Sequence, residues 1–101
     1  MLKIEKKKDG ERLEVTIAGN IDSSNAAELS KAMEGELADV TELVMDMKDL
    51  EYITSAGLRS LLEAYQELDE KDGRMVLTHV NEEINEVLDL TGFANFLEVE
   101  D

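Results

Sequence analysis

Cysteine is missing from this chain of 101 residues, and disulfides, thiol nucleophiles and thiolate metal sites are excluded with it. Proline and tryptophan are also absent, so breaks between elements fall to glycine and polar loops, and only four aromatics occur: Tyr52, Tyr65, Phe93 and Phe96. Cations are scarce. Ten lysines and arginines stand against 25 acidic residues, a formal net charge of −15 that argues against direct nucleic-acid binding or an anionic membrane surface. A charged partner is expected to be basic. Met1 to Lys8 holds no long apolar run, so neither a secretory signal nor a membrane span is read there, and a cytoplasmic location is expected. The one histidine, His79, lacks the clustered companions a metal site needs, and no metal or cofactor is expected.

What is present is an ordinary hydrophobic fraction of 43% with clear periodicity, enough for one domain over residues 1–101. Leu2 to Lys7 alternates, Asp9 and Gly10 supply a turn, and Leu13, Val15 and Ile17 alternate again, which predicts an antiparallel hairpin ended by Gly19. Ala26, Leu29, Met33 and Leu37 fall on one helical stripe, and Asn25 with Glu28 has the spacing of a reciprocal cap. A strand is predicted over Glu42 to Met47, then a helix through Leu58, Leu61, Leu62, Tyr65 and Leu68 that closes near Gly73. Met75 to Leu77 reads as a strand and Asn81 as the cap of a third helix whose first turn carries Glu82 and Glu83. Thr91 and Gly92 end that helix, and the segment from Phe93 to Val99 is expected to include a short last strand. Strands joined through helices are parallel neighbours. The expected fold is therefore α/β, a mixed sheet with an N-terminal antiparallel hairpin and parallel crossovers, its helices mainly on one face.

Chemistry is sought first at Thr54 and Ser55, a hydroxyl pair where a buried strand gives way to a helix. Free N–H groups and the positive end of the helix dipole make that junction a good seat for a phosphate. A hydrolytic serine would need His79 as its base, and Ile53 stands where a nucleophile elbow has its first glycine, so no catalytic residue is assigned. The six glycines are scattered and assemble neither a phosphate-binding loop nor a dinucleotide fingerprint. Ser55 and Asp22 also suit helix-cap or strand-end roles. Gly57 admits two readings, a bare first helical turn or close packing.

The run from Leu43 to Leu62, with Asp46, Tyr52, Ile53, Thr54, Ser55, Ala56, Gly57, Leu58 and Arg59, resembles the signature of STAS domains, specifically the bacterial anti-sigma factor antagonists. Gly19, Asn20, Ile21 and Asp22 resemble a second element of that family. The resemblance implies a partner-switching cycle in which the unmodified protein binds an anti-sigma factor serine kinase and frees a sigma factor. The kinase then phosphorylates the serine and a phosphatase resets it. Carried onto this sequence, the phosphorylation site is Ser55, and the partner surface comprises Asp22, Ser23, Thr54, Ser55, Ala56, Gly57, Leu58 and Arg59. Members commonly place aspartate before that serine. Thr54 stands there instead, which makes Thr54 an alternative acceptor and keeps open a second role, an unphosphorylated subunit docking on a transporter or signalling assembly.

Overall fold

The computed structural model describes residues 2–100. Its sheet runs β1(Lys3–Asp9), β2(Arg12–Ile21), β3(Glu42–Ile53), β4(Arg74–Thr78), β5(Glu98–Glu100) in that spatial order. β1 is antiparallel to β2, and every later neighbour is parallel. The helices α1(Ala26–Met33), α2(Ser55–Asp69) and α3(Glu82–Thr91) are the crossovers between successive parallel strands, and Phe93–Asn95 forms a short 3-10 turn. This is the expected fold. Because the strands advance in one direction, right-handed crossovers carry all three helices to one face.

Period-two burial explains why the sheet has an inside and an outside. Leu13, Val15 and Ile17 on β2, Leu43, Met45 and Met47 on β3, and Met75 and Leu77 on β4 join one core with the apolar stripes of all three helices. On the edge strand β1 the inward row continues as Lys6 and Lys8, which reach past the end of α1. Lys6 donates to the Ala32 carbonyl at 2.9 Å and to Glu36 at 2.8 Å, and Lys8 pairs with Asp39 at 2.5 Å. The outer face carries charge instead. There Arg12 pairs with Glu14 and Glu42, and Arg74 pairs with Glu42, Glu98 and Glu100. These pairs are exposed, so each adds little to stability.

Several element boundaries differ from the sequence expectation. β2 does not stop at Gly19: that residue takes φ 102° and the strand continues to Ile21. β3 likewise runs beyond Met47 to Ile53. Two irregularities between β2 and β3 allow this, since Thr16 lies opposite Asp46 while Ala18 lies opposite Asp49 and Asn20 opposite Tyr52. The buried residues of β3 are consequently spaced by three at Met47, Leu50 and Ile53.

The Asn25–Glu28 cap does not form. Asn25 instead accepts from the Asp22 N–H at 2.8 Å and donates to the Asn20 carbonyl at 2.9 Å, tying the loop after β2 to itself. α1 stops at Met33 ahead of Gly35, at φ 76°, so Leu37 is buried from a turn and not from the helix. At the far end of α2 the left-handed residue is Asp72, φ 59°. Gly73 is there for space, because an added Cβ would lie 3.0 Å from the Thr41 carbonyl oxygen.

Candidate functional site

β3 outruns its neighbour on one side. Pairing with β4 ends at Asp46 opposite Thr78, whereas pairing with β2 continues to Ile53 opposite Ile21. The carbonyls this frees are partly taken by Asn81, whose Nδ2 donates to Leu50 at 3.0 Å and Glu51 at 3.3 Å. His79 sits just past the end of β4 with its Nδ1 2.9 Å from Asp46 Oδ1. Six strand residues lie between Asp46 and Ile53, about 20 Å of extended chain from one to the other, so the histidine is not a base for Ser55.

The α2 start is built on that overhang. The Thr54 N–H donates to the Ile21 carbonyl at 2.9 Å, and the Thr54 carbonyl accepts the first helical bond from Leu58 at 3.0 Å. Thr54 is extended, φ −97° and ψ 176°, and occupies the cap position. Its hydroxyl forms no cap bond, is buried, and lacks a hydrogen-bond partner among the described residues. Thr54 Oγ1 is thus shielded from solvent, whereas Ser55 is not. Ser55 is the first helical residue and is exposed. It does not cap the helix.

Gly57 resolves in favour of close packing. It is buried, and an added Cβ would come within 2.6 Å of both Ile21 Cγ2 and Ile53 Cγ1. The first turn of α2 thus lies directly on the ends of β2 and β3. Leu58 is also inside, 2% exposed, so these two residues support the surface from beneath, while Ser23, Ser55 and Arg59 are exposed on it.

Asp22 lies in the loop that the Thr54 N–H fastens to β3. Its carboxylate is turned to Ser24, accepting from the hydroxyl at 2.5 Å and the N–H at 2.9 Å. Those bonds, the hydroxyl's first, hold the Asp22 carboxyl below the usual carboxylate range. Asp22 therefore shapes the loop beside the α2 start.

Between α1 and α2 a groove of about 420 Å³ opens beside the serine, lined by Ser55, Ala56, Arg59, Ala27, Ser30 and Glu63, among others. The sequence reading missed Ser30, Ser60 and Glu63. Ser60 is 7% exposed and donates to the Ala26 carbonyl at 3.1 Å; Ser30 Oγ lies 2.8 Å from it and 2.9 Å from Glu63. A serine inside an otherwise apolar helical stripe was the available signal. It locks the two helices at a fixed spacing and so sets the groove's width.

This fold is shared with known proteins. Residues 3–101 match the STAS domain, and the chain belongs to that family. Several of the proteins it resembles carry antagonist names. The anti-sigma-B factor antagonist of Listeria monocytogenes is 23% identical over 95 residues, covering 93% of this chain and 83% of that protein. BtrV of Bordetella bronchiseptica is 33% identical over 88 residues, covering 82% of this chain and 72% of its own length. The crystal structure of an anti-sigma factor antagonist from Mycobacterium paratuberculosis superposes with a TM-score of 0.86 at 23% identity, covering 98% of this chain and 85% of that one.

Proposed function

We propose that the chain is a cytoplasmic anti-sigma factor antagonist that binds an anti-sigma factor serine kinase when unmodified and releases it when Ser55 is phosphorylated, with a phosphatase restoring the first state. The observation that carries this reading is an exposed serine at the first position of a helix whose start has no side-chain cap and no acidic residue in its first turn. A phosphate there gains the helix dipole and nearby N–H donors, so the fold tolerates roughly −1.5 to −2 added charges. A docked partner meets new bulk and charge. Losing about 1 to 3 kcal/mol of binding corresponds to a 5- to 150-fold weaker complex, sufficient for a switch without global rearrangement.

The test is incubation with the cognate kinase and ATP, followed by intact mass and site mapping. One phosphate on Ser55 is expected; no incorporation sinks the switch. Ser55→Asp is expected to weaken kinase binding within that range, while Ser55→Ala keeps it. Equal affinities would favour the second reading, a permanently unphosphorylated subunit of a transporter or signalling assembly, to which Thr54 in place of the common aspartate gives its support.

A further inference from the structure

We propose that Arg59 receives the phosphate on Ser55, so that modification withdraws an arginine from the partner surface as well as adding charge to it. This deepens the switch reading above and rests on it. Ser55 and Arg59 line the same groove between α1 and α2, one helical turn apart on α2. Residues four apart on a helix are neighbours, and an acid placed four residues before a cation is the favourable orientation.

Arg59 is exposed, and none of the ion pairs among the described residues uses it, although the chain carries 25 acidic groups. Its opposite neighbour at four residues, Glu63, is the groove's other charged group and accepts from the Ser30 hydroxyl at 2.9 Å. Arg59 is also the only cation in α2. A phosphorylated Ser55 would supply the uncommitted guanidinium with its best partner, since phosphate oxygens match the planar fork with two parallel N–H donors. In the unmodified protein the same side chain stays available to an acidic group on a docked partner. The phosphate would thus compete with the partner for one arginine.

The experiment installs phosphoserine at position 55 during synthesis, by genetic encoding, and follows the phosphate's second ionisation by phosphorus NMR. A nearby cation favours the dianion, so the midpoint is expected to fall by about half a unit or more below the ordinary value near 6. Arg59→Gln is expected to raise it back, Arg59→Lys to retain part of the fall, and Glu63→Gln to leave it in place. An identical midpoint in the parent and in Arg59→Gln overturns the proposal. Arg59 is exposed, so these variants are expected to fold, and a merely structural arginine would not move the phosphate's titration. Because no kinase is needed, failure of the cognate kinase to modify Ser55 would count against the switch alone, and an unmoved midpoint against Arg59 alone.

Discussion

α3 begins at Asn81, whose side chain accepts from the Ile84 N–H at 2.8 Å, with Glu82 and Glu83 in its first turn. α2 begins at Thr54 with no side-chain cap bond and no acid in its first turn. Both helices start from extended residues at the carboxyl side of the sheet, so the difference lies in side-chain chemistry and not in backbone geometry. α3 has its negative complement encoded; α2 leaves the place open. On an otherwise acidic chain, that local shortage of negative charge is what makes the α2 start receptive to an added anion.

The contrast can be broken or sharpened by substitution. The largest expected effect is at the support of the bare start: Gly57→Ala forces a methyl group against Ile21 and Ile53 and is expected to destabilise by about 1 to 3 kcal/mol in urea unfolding. A neutral result would mean the α2 start can slide off the strand ends. Next, Asn81→Ala removes the α3 cap and its two contacts with β3, at an expected cost of about 1 to 2 kcal/mol. Were the loss negligible, α3 would not be the finished helix start described here. Thr54→Asp supplies α2 with the missing complement and is expected to gain about 0.5 kcal/mol, measured by the same unfolding. A loss there would show that the Thr54 site is too enclosed for a charge. The smallest effect is expected for Ser55→Ala, below about 0.5 kcal/mol, since its hydroxyl is exposed and does not cap the helix. A loss above 1 kcal/mol would assign that hydroxyl a structural bond.

Much of this was legible in the sequence because it is written in periodicity. The hairpin, the order of strands and helices, the Asn81 cap and the placement of Ser55 at a helix start all follow from spacing that one buried sheet face enforces. The differences come from contacts that periodicity does not encode, some within one loop and some between segments distant in sequence. Asn25 and Glu28 have cap spacing, yet the Asn20 carbonyl and Asp22 N–H claim the asparagine. Gly57 leaves two readings open in the sequence, and only the packing on Ile21 and Ile53 beneath it decides between them. Asp22 has cap and strand-end readings in the sequence, and Ser24 two residues later takes its carboxylate. Gly19 reads as a stop because glycine ends many strands, whereas here it lets β2 follow an irregular β3 onward to Ile21.

Those two irregularities also give slack to the segment leading to Ser55. Each lets β3 take one residue more than β2 without losing its inward side, so Leu50, between them, and Ile53, beyond them, both face the core with Met45. Losing one residue between Lys48 and Tyr52 would straighten one irregularity and leave Ile53 opposite Ile21. The stretch thus works as a length buffer ahead of the helix start, whatever residues fill it.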